Sequence, residues 1–167
     1  MRILLYFSNP LIYPEETPMA VMNRQDGRRP HILICDPIHR VGLNMLQAHM
    51  DVAIKTSLAK DDLLDIVHEY DGIVVHNRTA VTADLIDHAL NLRLIGRAGS
   101  GFESIDVIHA QEKEIAVLNC PDANTLAVAE HTMGLLLALA RRLPSAYTSL
   151  ISGQWDSQHL IGTGLSG

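Results

Sequence analysis

The chain has only two cysteines, Cys35 and Cys120, too few for a framework of disulfide bridges. Each ends an apolar run, where a reduced thiol is expected to be buried and to behave as a small hydrophobe. This usage points to a cytoplasmic location. Basic residues are outnumbered, with 13 Lys and Arg against 19 Asp and Glu and a formal net charge of −6. Nothing more basic than Arg28-Arg29 occurs, and a phosphate-backbone footprint needs clustered cations, so no nucleic-acid partner is expected. Long hydrophobic runs are also missing. The most apolar stretch, Met133–Ala140, lies between Glu130-His131 and Arg141-Arg142, far short of the roughly 20 residues of a membrane span. It is expected to be a buried helix, with no membrane partner. The N-terminus, Met1–Phe7, carries one basic residue and leads to Pro10 and Pro14 without a small-residue cleavage pattern, so no secretory signal is read.

Metal-ligand spacing is absent as well. Nine histidines are present, but even the closest, such as His31 and His39, are too far apart for i,i+3 or i,i+4 pairing on a helix. With two separated cysteines, no metal site is expected. A serine-hydrolase elbow would need Gly-x-Ser-x-Gly, and Gly99-Ser100-Gly101 lacks that spacing.

What is present is a globular composition, 47% hydrophobic and 19% charged, enough for one domain with a sizeable core. Residues 1–28 hold prolines and a polar Asn23–Arg28 stretch. They read as a flexible N-terminal extension, with packing of the apolar start as an extra strand as the alternative. From His31 onward, short β-branched runs alternate with helical periodicity. Strands are expected at Ile32–Cys35, Val52–Lys55, Gly72–Val75, Leu92–Ile95 and Ala116–Asn119. Helices are expected over 41–49, 61–68, 105–111, 125–142 and 146–152, with another capped by Thr82 and burying Leu85, Ile86 and Ala89. Apolar strands each followed by a helix imply a parallel sheet covered on both faces. The expectation is a flavodoxin-like doubly wound α/β fold of five strands in the order 2-1-3-4-5.

Ligands of such sheets bind at the carboxyl ends of the strands. The residues there are Asp36-Pro37-Ile38, His76-Asn77-Arg78-Thr79, Gly96–Gly101 and Cys120–Thr125. Gly99 and Gly101 could free the backbone so that successive N–H groups converge on one anion; a tight strand-to-helix turn is the other reading. His76, Asn77 and Arg78 at a neighbouring strand end favour a carboxylate-binding cleft. The closing Gly162-Thr163-Gly164-Leu165-Ser166-Gly167 fits the dinucleotide pattern G-x-G-x-x-G. No buried strand is expected before it, and the pattern has meaning only between a strand and a helix.

The segment Arg93–Asp106, with Gly96-Arg97-Ala98-Gly99-Ser100-Gly101 at its centre, resembles the substrate loop of the D-isomer-specific 2-hydroxyacid dehydrogenases. Within that family, the likeness is nearest to the D-3-phosphoglycerate dehydrogenase branch. Asn77–Thr82, Asn119–Thr125 with Ala129-Glu130-His131-Thr132, Gly153-Gln154-Trp155 and Gly162–Gly167 agree in order and spacing, so the resemblance covers about residues 30–167. It implies a substrate-binding domain over 29–143 and a connecting helix and tail over 144–167, leading to an NAD-binding domain outside this chain. It further implies a small 2-hydroxy or 2-oxo acid as substrate, NAD as cofactor and a homodimer in the complete enzyme. The acid would be held by His76, Asn77, Arg78, Gly99, Ser100 and Gly101, with Ser100 also approaching the nicotinamide. The family's catalytic Arg, Glu and His belong to later sequence, so no catalytic residue is assigned here and this chain alone is expected to be inactive. Two positions depart from the family: His76 stands where Arg is usual, and Glu103-Ser104 where Asp-Asn is usual. The alternative functions are a remnant that binds small carboxylates or pairs with other subunits, and, last, a receiver domain or flavin binder using Asp36.

Overall fold

The computed structural model describes residues 27–165; the expected extension over 1–28 lies outside them except for its last two residues. Two compact units divide between Ala123 and Asn124, at the entry to the long helix, whereas the division expected from the sequence falls at 143/144.

The first unit is a five-stranded parallel sheet in the order β2-β1-β3-β4-β5, as expected. The strands are β1 (His31–Ile34), β2 (Asp51–Ile54), β3 (Gly72–Val75), β4 (Leu94–Arg97) and β5 (Ala116–Leu118). The intervening helices are α1 (Arg40–His49), α2 (Lys60–Ile66), α3 (Ala83–His88) and α4 (Val107–Glu112). Each strand is too short and too apolar to satisfy itself, and parallel neighbours need a helical crossover between them.

Strand register explains the core. Leu33, Ile73, Ile95 and Val117 lie side by side across four strands, and each is at most 1% exposed. Leu63 of α2, Leu85 and Ile86 of α3 and Ala110 of α4 close over that face. Thr82 caps α3 as expected, its Oγ1 accepting from Leu85 N at 3.4 Å, and Leu85, Ile86 and Ala89 are all buried. The opposite face carries Ile32 and Ile34, packed by Leu43 and Leu46 of α1. Farther along that face, Val74, Leu94 and Leu118 stay half-buried.

Two expectations in this unit are corrected. β4 runs two residues farther than the apolar pattern suggests, through Gly96 and Arg97. The shift is even, so each side chain keeps its face. The last position is an arginine that turns its guanidinium into the fold. Cys35 is buried, and burial together with the nearby Asp36 charge pushes its thiol up to about 12. Cys120 is exposed instead, because β5 ends at Leu118 and the thiol follows in the turn.

The second unit holds α5 (Thr125–Ala140) and α6 (Leu143–Ile151). Pro144 sits in the first turn of α6, where its missing N–H costs nothing, so the helix starts earlier than residue 146. Arg142 makes the corner in a left-handed conformation, φ 51°. The chain then returns: Thr163 N donates to the Ala140 carbonyl at 2.8 Å, and Arg142 Nη1 donates to the His159 carbonyl at 3.1 Å. A side chain at Gly162 would meet that carbonyl of Ala140 at 2.5 Å and Arg141 Cα at 2.8 Å, so glycine is needed for the close approach. The expectation of a buried α5 is not met, for no α5 residue is buried. It is apolar around most of its circumference, and a single partner helix covers too little of it. Trp155, the only tryptophan, is 80% exposed. No helix among the described residues is long and apolar enough to cross a membrane.

Candidate functional site

The carboxyl ends of β1, β3, β4 and β5 are tied together by side chains that are themselves buried. Asp36, which follows β1 and Cys35, is 2% exposed. Its Oδ2 accepts from the backbone N–H groups of His76 at 2.6 Å, Thr79 at 3.2 Å and Arg78 at 3.3 Å. Its Oδ1 accepts from Thr79 Oγ1 at 2.9 Å. Burial alone would push this carboxyl up, but the donors from His76, Thr79 and Arg78 more than offset it and hold the group below its usual value. A carboxylate that collects so many donors fixes the turn after β3 as an anchored loop.

Arg97 does the same from β4. It is 9% exposed, and its Nη1 donates to the His76 carbonyl at 2.6 Å. Nη2 donates to Asn77 Oδ1 at 3.1 Å. Its Nε is buried and has no partner among the described residues. The loop after β3 is thus held from below by a buried anion and from the side by a buried cation.

The glycine loop follows Arg97. The Gly99 carbonyl accepts from Cys120 N at 2.9 Å, and the Ser100 carbonyl accepts from Asn119 Nδ2 at 2.7 Å. The loop's carbonyls are therefore directed toward β5. Among the described residues, the N–H groups of Gly99, Ser100 and Gly101 donate to no protein atom. Neither glycine takes a positive φ, so conformational freedom is not what they supply. Gly99 supplies room, since a Cβ there would press on Arg97 Nη1 at 3.3 Å; one at Gly101 would meet only the exposed end of the Glu103 side chain, which can swing aside.

A cavity of about 320 Å³ opens at the ends of β1, β2 and β3. Lys55, Lys60, Arg78, Thr79, Asp36 and Ser57 are among its lining residues. Lys60 pairs with Asp84 at 2.9 Å. The cavity brings Lys55, Lys60, Arg78 and hydroxyl groups together with the Asp36 carboxylate and the apolar Cys35, Leu63 and Leu85.

The six residues expected to hold an acid therefore divide. Gly99, Ser100 and Gly101 present backbone donors, and Arg78 reaches the cavity. Asn77 spends its side-chain oxygen on Arg97, and His76 contributes through its backbone. Sequence reasoning missed Lys55, Arg97, Asn119 and the anchoring role of Asp36. Apart from the lysine, which the strand ends alone bring to the cavity, each acts on a segment 19 or more residues away. A polar residue closing an apolar strand, as Arg97 and Asn119 do, was the available signal. No cluster of three or more His, Cys, Asp or Glu suited to a metal ion occurs among the described residues.

A doubly wound α/β domain whose strand ends gather unengaged backbone N–H groups, Lys55 and Arg78 is the class these features define. The chain belongs to the D-isomer-specific 2-hydroxyacid dehydrogenases: residues 32–158 match that family's catalytic-domain profile. It is 45% identical over 136 residues to a D-3-phosphoglycerate dehydrogenase of Methanocaldococcus jannaschii, covering 81% of this chain and 26% of that protein. It is 41% identical over 140 residues to a hydroxypyruvate reductase of Thermotoga maritima, covering 83% of this chain and 46% of that protein. A solved structure from Thermus thermophilus superposes with a TM-score of 0.73 at 27% identity, over 82% of this chain and 46% of that one. The chain thus spans between about a quarter and a half of the length of these relatives. By name, the two enzymes are oxidoreductases acting on a CH–OH group or its keto counterpart.

Proposed function

We propose that the chain supplies the acid-binding part of an NAD-dependent D-2-hydroxyacid dehydrogenase, with a phosphorylated three-carbon hydroxy acid as its substrate class. The observation that carries this reading is that one sheet edge holds both the unengaged N–H groups of the glycine loop and a cavity lined by Lys55 and Arg78. The unengaged N–H groups of Gly99, Ser100 and Gly101 suit the carboxylate common to all substrates of the family. The Lys55–Arg78 cavity suits a second anionic end, and it offsets the replacement of arginine by His76. Asn77 keeps a role here as the group that presents the loop through Arg97. Ser100 would face the nicotinamide.

In the complete enzyme, NAD would exchange a hydride with a 2-hydroxy or 2-oxo acid. NAD supplies the hydride chemistry, but the described residues do not fit its pyrophosphate. Gly162 follows no strand and packs on the end of α5, rather than opening a helix toward an anion. This chain's residues bind and orient the acid. A cytoplasmic setting and a substrate domain over 29–143 belong to the same proposal.

Titration of the isotope-labelled chain with 3-phosphoglycerate and with hydroxypyruvate tests it. Amide shifts should appear at Gly99–Gly101 for both acids, and at Lys55 and Arg78 for the phosphorylated one, with no NADH turnover. Silence at both segments up to tens of millimolar acid would sink the reading; turnover would show that catalytic parts were overlooked.

The exposed apolar helices favour a second role, pairing with another copy through α5 and α6. Leu126, Met133 and Leu139 on α5 and Tyr147 and Ile151 on α6 are each more than half exposed, a surface that water disfavours. Size-exclusion chromatography coupled to light scattering should give a dimer mass; a monomer at all concentrations would count against pairing.

A further inference from the structure

Arg97 is an unusual cation. It is nine-tenths buried, yet its hydrogen-bond partners are neutral, the His76 carbonyl and Asn77 Oδ1. Its Nε is buried without a partner. The nearest carboxylate, Glu103, stands 3.8 Å from Nη2 on a side chain that is 83% exposed. So loose a contact in high dielectric neutralises little of a buried charge.

The position of this charge matters more than its existence. The guanidinium lies directly behind Gly99, where a Cβ would meet Nη1, Cζ and Nη2 at 3.3, 3.5 and 3.7 Å. The Glu103 carboxylate, at the end of an exposed side chain, lies against Gly101, where a Cβ would meet it. The N–H groups of the glycine loop thus have a buried positive charge behind them and a removable negative charge beside them. An incoming carboxylate would gain the field of the first and displace the second.

We propose that Arg97 is a positioning residue that sets the affinity of the Gly99–Gly101 loop for a carboxylate, with Glu103 as its displaceable internal counter-ion. This rests on the reading of that loop as the acid cradle. Arg97 acts without touching the acid, through its field and through its hold on His76 and Asn77. Glu103 acts as a competitor, so that the loop favours ligands carrying a full negative charge over neutral isosteres.

The test is a comparison of pyruvate with its neutral amide, pyruvamide, followed by amide shifts of Gly99–Gly101 in the full chain. The wild type should bind pyruvate more tightly than pyruvamide. Arg97→Met should weaken pyruvate about tenfold or more and erase the preference, and Arg97→Lys should recover part of it. Glu103→Gln, a surface change that leaves the fold alone, should tighten pyruvate several-fold and leave pyruvamide unchanged. Hydrogen exchange at residues 76–79 reports the mechanical part: it should rise in Arg97→Met and stay at the wild-type level in Glu103→Gln. Wild-type silence toward pyruvate at the loop would overturn the cradle reading and this inference with it. Wild-type binding that neither Arg97→Met nor Glu103→Gln alters would overturn this inference alone.

Discussion

Ile95 in β4 and Leu139 in α5 are both aliphatic residues in the middle of apolar runs, yet one is fully covered and the other is 82% exposed. The contrast holds across the two units. Over residues 27–123, short strands and helices of six to ten residues bury a continuous core. Over 124–165, the longest helix of the described chain has no buried residue. Hydrophobicity therefore states a demand for a partner, and topology decides whether one is within reach. A five-stranded sheet with three helices on one face meets that demand internally. A pair of helices with a returning tail cannot, and such a unit awaits a second surface.

The sharpest way to break this contrast is a pair of truncations compared by urea unfolding. Ile95→Ala should cost about 3–4 kcal/mol, as a core cavity does. Leu135→Ala in α5 should stay within about 0.5 kcal/mol at protein concentrations too low for pairing, as an exposed substitution does. Equal losses would mean that α5 is covered in solution, which is the outcome a dimer predicts at high protein concentration.

Next in size is the anchor at Asp36. Asp36→Asn removes a buried acceptor of four hydrogen bonds and should cost about 2 kcal/mol. The carboxyl is held below its usual value in the folded chain, so its stabilisation is fully present above the unfolded value of about 3.9. That contribution is lost as pH falls through the lowered folded value. Thermal unfolding between about pH 6 and pH 2 should show an acid limb in the wild type that is shallower in Asp36→Asn. Parallel curves would refute the linkage.

Gly162→Ala probes a tight spot of the second unit. Its Cβ would press on the Ala140 carbonyl, and overpacking of this kind costs about 1–3 kcal/mol. Hydrogen exchange should accelerate in residues 140–163 and stay unchanged in the sheet. The smallest expected effect compares helix caps. Thr82→Ala, which removes a bonded cap, should cost about 1 kcal/mol. Asn124→Ala, at a cap with no side-chain bond, should be neutral.

How far the sequence can be read follows the same division between local and distant causes. The strand order, the Thr82 cap and the buried Leu85-Ile86-Ala89 stripe follow from periodicity and neighbouring residues, and the structure shows them. The strand-end glycines are visible for the same reason. Arg97 is not, because an arginine closing a strand looks like a loop residue until the His76 carbonyl and Asn77, about twenty residues back, are seen to receive it. Asp36 looks like one acid after a strand; its meaning depends on a turn 40 residues later. Lys55 and Arg78 come from different crossovers, and only the sheet makes them neighbours of one cavity. α5 fails in the opposite direction, since an apolar run implies burial only where a partner is within reach.

The lone exposed tryptophan has a consequence for anyone who follows this molecule by light. Trp155 belongs to the second unit, while the buried aromatic reporter of the sheet is Tyr70, 2% exposed. Tryptophan emission would therefore start near its fully hydrated, red-shifted position and change little when the sheet melts. Tyrosine ellipticity in the near ultraviolet would record that melting. Two wavelengths on one sample would give a nearly flat tryptophan trace and a tyrosine curve dominated by the sheet, since Tyr147 of the second unit is exposed.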